Sequence, residues 1–316
     1  MIEICNATKR FDDFVAVSDI SVTIPDKCIF GMVGSNGAGK STLMRMITGI
    51  YRADGGSIRI DGVDVFEHPE AKKKMVFVPD DLYYMGNASM DRMMQVYRDA
   101  YPTFDVKVYE ELKAKFGLNG KKSMTTFSKG MKRQAVTILA MACRTEYIFF
   151  DETFDGLDPI MRNLVKSILC KDVIDRGATA IITSHSLREL EDTCDQLAFL
   201  HKGGLVLQSS LGKLKTDLFK VQVAFDREYN REDIDRMLSG LTGDASASVL
   251  HFVKHGRVIN VIIRGSHEAV MAALEKEKPI LIESIPLTLE EVFTYEMESR
   301  GYSFDTVLPE KEADHE

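Results

Sequence analysis

A lysine and a serine directly behind closely spaced glycines suit a polyphosphate. One stretch holds that set in order: Gly34, Ser35, Asn36, Gly37, Ala38, Gly39, Lys40, Ser41 and Thr42. The glycines let successive backbone N–H groups turn toward one point without Cβ collisions. Lys40 suits neutralisation of β and γ phosphate oxygens, and the Ser41 hydroxyl suits a Mg2+ ion. Further on, the adjacent acids Asp151 and Glu152 follow the apolar run Tyr147 to Phe150, Asp80 and Asp81 follow Met75 to Pro79, and His185 follows Ala178 to Thr183. At strand ends such side chains can hold a cation, polarise a water and hydrogen-bond a phosphate.

The elements that would position them are readable from hydrophobic spacing. Cys28 to Val33 is a short apolar strand that runs into the glycines, and Leu43, Met44, Ile47 and Ile50 then share one side of a helix. Strand, glycine-rich loop and helix with Lys-Ser at the junction is the P-loop pattern, whose helix N-terminus favours an anion. Ile2 to Phe11 and Val15 to Ile24 read as strands; Phe11, at the end of the first, is by position either an edge aromatic or a platform for an adenine ring. Residues 87–145 change to helical spacing, with helices from Ser89 to Ala100 and from Asp105 to Gly117. Met85, Met90, Met93 and Met94 there read as helix packing. A buried strand then leads to Asp151, Asp158-Pro159 starts a helix that runs to Gly177, and Ser186 with Glu189 forms a capping box after the next strand. Strands and helices alternating on both sides of a P-loop imply a doubly wound α/β sheet with ligands at the strands' carboxyl ends. From residue 216 to 302 a second, smaller α/β unit follows with no catalytic constellation, and residues 303–316 read as an acidic, disordered tail.

Composition narrows the function classes. A chain of 316 residues, 45% hydrophobic, is long for one domain. Its formal charge of −8, with no basic block, argues against general binding to nucleic acid or anionic lipid. No stretch approaches the ~18 apolar residues of a bilayer span, and the first residues, Met-Ile-Glu-Ile-Cys-Asn, show no charged region followed by an apolar one, so a secretory leader is not expected. A cytosolic protein whose membrane role runs through a partner is the expectation. Cys5, Cys28, Cys143, Cys170 and Cys194 are odd in number, never in Cys-x-x-Cys spacing, and read as reduced core residues.

The candidates taken together resemble the ATP-binding-cassette (ABC) ATPase family over about residues 1–215. Residues 34–42 match that family's Walker A, Phe150-Asp151-Glu152 with Gly156-Leu157-Asp158-Pro159 its Walker B and D-loop, and Thr183-Ser184-His185 its switch histidine. Phe127-Ser128-Lys129-Gly130-Met131 stands where Leu-Ser-Gly-Gly-Gln is expected. The resemblance implies a P-loop doubly wound cassette with an antiparallel β subdomain, a helical insert at about 87–145 and an accessory C-terminal α/β domain. It implies ATP and Mg2+ as ligands, with Ser41 and Asp151 on the metal, Glu152 on the attacking water, and Lys40 and His185 on the γ-phosphate. Ser128 and the Gly130 N–H would close over the ATP of a second copy, giving a two-site dimer linked by the Asp158 segment. Phe11 falls at the adenine-stacking aromatic, usually Tyr. Asp80 (or Asp81, one residue on) falls at the Q-loop glutamine; a carboxylate there reaches Mg2+ or water but adds negative charge beside phosphate.

The resemblance further implies a separate membrane permease subunit, docked on the helical insert. Tyr83, Tyr84, Met85, Tyr97 and Tyr101 are candidates for that groove or for core packing. The protein would then lie in the cytoplasm, peripheral on the inner face of the cell membrane. Thr288-Leu-Glu-Glu-Val-Phe293 resembles the close of ATPase subunits of drug and peptide-antibiotic exporters and tilts the reading toward export. Two alternatives stand beside it: a soluble ABC ATPase acting on nucleic acid or ribosomes, and a slow-turnover, nucleotide-gated regulatory subunit suggested by Asp80 and Lys129.

Overall fold

Alternation of apolar and polar residues builds the first hairpin, β1 (Ile2–Phe11) and β2 (Phe14–Ile24), which buries Ile2, Ile4, Ala7, Val17, Ile20, Val22 and Ile24. The computed structural model describes residues 1–154, 156–241, 243 and 246–299, and the expected acidic tail at 303–316 lies outside them. Contacts divide the chain into two units between Ser209 and Ser210.

In the first unit, β3 (Ile29–Val33) leads to α1 (Lys40–Ile47), then β4 (Gly55–Ile60), β5 (Val63–Asp64), α2 (Pro69–Lys73) and β6 (Met75–Val78). The insert follows as α3 (Met90–Ala100), α4 (Val106–Lys115) and α5 (Lys129–Ala142). The chain returns through β7 (Tyr147–Asp151), α6 (Pro159–Arg176), β8 (Thr179–Ser184), α7 (Leu187–Glu191), β9 (Gln196–His201) and β10 (Gly204–Ser210). One sheet is antiparallel in the order β2-β1-β4-β5; the other has the order β10-β9-β3-β8-β7-β6, with β9, β3, β8, β7 and β6 paired parallel. Every residue of β3, β7 and β8 is buried, as a parallel sheet covered on both faces requires. Crossover connections carry the carboxyl ends of β3, β6, β7 and β8 to one edge, where Gly34, Asp80, Glu152 and His185 emerge.

Caps fix the helix starts. Ser89 accepts a hydrogen bond from Arg92 N, Asp105 from Lys107 N and Val108 N, and Asp158 from Ile160 N and Met161 N, with Pro159 at N1 and Gly177 left-handed at the other end. The capping box at Ser186 is not formed. Glu189 is drawn away instead, accepting from Ser184 Oγ at 2.7 Å and pairing with Arg162 at 3.1 Å.

The second unit begins ahead of α8 (Leu211–Asp217), which packs on β11 (Leu218–Ala224) and the last helix. It continues through α9 (Arg231–Leu238), β12 (Ala247–His255), β13 (Val258–Gly265), α10 (His267–Glu275), β14 (Leu281–Ile285) and α11 (Leu289–Ser299). The antiparallel order β12-β13-β11-β14 is the split β-α-β-β-α-β arrangement, with Ile234, Leu238, Val270 and Leu274 of the helices packed on Val221, Val223, Val261 and Ile263.

Candidate nucleotide-binding site

The loop between β3 and α1 takes its shape from its glycines. Gly39 has φ +96, and a Cβ there would meet the Ala16 carbonyl at 2.5 Å. A Cβ on Gly34 would meet the Leu200 carbonyl at 2.3 Å. Lys40, only 4% exposed, donates to the Gly34 and Ser35 carbonyls at 2.8 and 3.3 Å and lies 3.4 Å from Glu152 Oε1. Its ammonium is therefore held inside the loop's curve, with the N-terminus of α1 directly behind it.

Opposite stands the end of β7. Asp151 is fully buried, and its Oδ1 accepts from Ser41 Oγ at 3.1 Å and from Thr183 Oγ1 at 2.6 Å. Burial pushes its carboxyl above the usual carboxylate range; the Thr183 and Ser41 hydrogen bonds oppose that shift, and the neighbouring Glu152 charge adds to it. Oδ2 is buried without a hydrogen-bond partner. An orphaned carboxylate oxygen beside a serine hydroxyl is a hard-oxygen donor set that fits Mg2+. Glu152 sits at φ 47, a left-handed conformation costly for a residue with a Cβ, and its N–H donates to Thr183 Oγ1 at 2.9 Å. Its other carboxylate oxygen lies 3.8 Å from His185 Nδ1. Thr183 therefore positions both acids, a role the sequence analysis did not assign. The available signal was the pair of hydroxyls, Thr183 and Ser184, closing a strand with an apolar centre.

Residues 36–42, Asp80 and Glu152 line a cavity of about 400 Å³, closed on one side by Phe14 and Ala16. Its size suits a small-molecule ligand. Phe14, 63% exposed, is the aromatic on that wall. Phe11, paired with it across the hairpin, packs edge-on against Tyr51 at 5.4 Å and is not among the lining residues. Asp80 faces the cavity but is engaged by the Arg133 guanidinium of α5. Ser128 caps α5 by accepting from Met131 N at 3.2 Å and is exposed. Gly130 packs toward Gly156, whose carbonyl a Cβ would meet at 3.1 Å, and neither Ser128 nor Gly130 lines the cavity. Just ahead of the insert, Tyr83 and Met85 are exposed and Lys132 lies over the Tyr84 ring; within it, Tyr97 and Tyr101 stack with each other at 6.1 Å. Met90 and Met93 are buried, as packing residues should be, and Met94 is half-buried, but Met85, expected to pack with them, lies exposed ahead of the helix.

A glycine loop and helix on a parallel sheet, facing a buried aspartate at the end of a strand two places along, define a P-loop nucleotide-binding cassette. The family model for ABC transporters matches residues 17–155. The chain is 32% identical over 296 residues to the ABC transporter ATP-binding protein YtrB of Bacillus subtilis (strain 168), covering 93% of this chain and 97% of that one. It is 27% identical to the daunorubicin/doxorubicin resistance ATP-binding protein DrrA of Streptomyces peucetius, over 77% of this chain and 76% of that one. The dimeric structure of the ATP-binding cassette MJ0796 in a post-hydrolysis state, bound to ADP and Pi, aligns with a TM-score of 0.61 at 18% identity, covering 67% of this chain and 99% of that one. The chain belongs to the ATP-binding proteins of ABC transporters, a family of ATP-hydrolysing cassettes.

Proposed function

We propose that this protein is the ATP-hydrolysing subunit of an exporter, working on a separate membrane permease through ATP-dependent closure of a dimer. The observation that carries it is the convergence of Lys40, Asp151, Glu152 and His185, from three different segments, on one edge of the parallel sheet. Ser41 and Asp151 would hold Mg2+, which when bound neutralises charge on the β and γ oxygens. The loop amides and Lys40 bind the triphosphate. Glu152, held in its strained conformation by Thr183, orients the attacking water and accepts its proton, while His185 keeps the carboxylate turned toward the γ-phosphate. Water then attacks Pγ, and ADP leaves as the bond to the β-phosphate oxygen breaks.

Ser128 and Gly130, away from the cavity of their own chain, suit the phosphate of a second copy, which the dimeric form of the MJ0796 cassette parallels. Among the described residues no helix is long and apolar enough to cross a membrane, and in this reading the work passes to another subunit. Exposed Tyr83 and Met85, just ahead of the insert, offer it a docking surface, and Phe14, on the cavity wall, offers the adenine an aromatic face. DrrA, a drug-resistance ATP-binding protein, supports the export direction.

Glu152→Gln tests the reading. Steady-state phosphate release should fall by about 10²–10⁴-fold, the usual contribution of a positioned base, while Mg·ATP still binds and accumulates a dimer on size-exclusion chromatography. Undiminished phosphate release removes Glu152 from the chemistry.

A further inference from the structure

Asp80 and Arg133 form a pair that neither residue supports well alone. Asp80 is about half exposed and lines the nucleotide cavity, so its negative charge faces the place where a triphosphate would sit. Arg133 is 1% exposed, and its Nη2 donates to Asp80 Oδ1 while Nε and Nη1 are buried without a partner. Among the described residues Asp80 is thus the sole hydrogen-bond partner of a buried guanidinium. Burying that cation unpaired is strongly unfavourable, and a free carboxylate beside the phosphates would repel them. Joined, the two charges cancel. Arg133 also sits in the second turn of α5, whose cap is Ser128, so the pair ties the cavity wall to the helix whose start the dimer reading places on the second nucleotide.

We propose that Arg133 is a positioning residue for the nucleotide site: its buried guanidinium fixes the Asp80 carboxylate on the cavity wall and cancels its charge, so that the two residues act as one exchangeable unit setting affinity for the nucleoside triphosphate. The inference rests on the ATPase reading given above.

The test is a cycle of Asp80→Gln, Arg133→Gln and the double variant in the full chain, with KM and kcat for Mg·ATP, fluorescent-nucleotide binding and thermal midpoints measured at low and high salt. Arg133→Gln frees the Asp80 charge, so KM should rise about fivefold with a smaller change in kcat, and the rise should shrink in high salt. Asp80→Gln strands the buried cation and should lower the thermal midpoint. The double variant should recover both, returning KM to within about twofold of the parent, a rescue that a purely structural arginine would not show. A double variant as impaired as Arg133→Gln, or an Arg133→Gln protein with unchanged KM, overturns the proposal. Should Arg133→Gln fail to fold, a double variant that folds and is more stable than Asp80→Gln supports the pairing, and one less stable overturns it. A parent protein that neither binds nor hydrolyses ATP overturns the ATPase reading as well; an active parent with no coupling between the two positions overturns this inference alone.

Discussion

Asp151 has no exposed surface, and one of its oxygens makes no hydrogen bond. Burial therefore raises its carboxyl pKa above the unfolded value. A raised acid contributes stability that is fully present below the unfolded pKa and is lost as pH rises through the folded one, because the folded state then holds the proton more tightly than the unfolded chain does. Without nucleotide, the protein should accordingly lose thermal stability as pH climbs from the ordinary carboxylate range through the raised value of Asp151. Asp151→Asn keeps an acceptor for Thr183 and Ser41 while removing the charge. It should be more stable than the parent at neutral pH in the absence of ligand, and its midpoint should no longer rise when Mg2+ is added to ATP. Scanning fluorimetry across pH, with and without Mg·ATP, checks both effects. A neutral-pH midpoint below that of the parent would show that the Asp151 charge is compensated within the fold rather than awaiting a cation.

The helix starts are local matters of one side chain and two or three amides, and for that reason they were readable in the sequence. Asp105 accepts from Lys107 N at 2.8 Å and Val108 N at 3.3 Å, so Asp105→Ala should cost about 1 kcal/mol of stability, seen as an earlier denaturation midpoint, with ATP binding untouched. The glycine loop was legible for the same reason, since its chemistry lies within nine consecutive residues. What was not legible depends on register and on distant partners. Thr183 holds Asp151 because β7 and β8 align those two residues side by side. Arg133 reaches Asp80 across 53 positions. Phe14 rather than Phe11 lines the cavity because of how the first hairpin turns over the loop. The capping box failed because Ser184 and Arg162 compete for Glu189, and no local window weighs a competitor on another helix. Local rules placed the parts; only the sheet's register shows which parts touch.

At the scale of the whole molecule the unusual fact is a helix start, at Ser128 and Gly130, suited to an anion yet absent from the cavity wall of its own chain. A two-fold dimer resolves it: each site would take its P-loop from one copy and its Ser128 segment from the other, so two sites form together. That arrangement permits complementation between dead proteins. Lys40→Ala removes the phosphate-binding lysine, and Ser128→Arg places a bulky cation where the second copy's nucleotide must fit, so each variant alone should release little phosphate. In an equal mixture, half of the dimers pair one variant with the other. In those, the intact Lys40 of the Ser128→Arg chain faces the intact Ser128 of the Lys40→Ala chain, restoring one site while the opposite site carries both lesions. If the sites turn over independently, the mixture should regain about a quarter of the parent's rate. The gain should rise with protein concentration, because it depends on association. Equal thermal midpoints for the two variants would show that both are folded before mixing. A mixture no more active than its components, at concentrations where the parent is dimeric, would mean that each chain completes its own site and that hydrolysis does not depend on closure between copies.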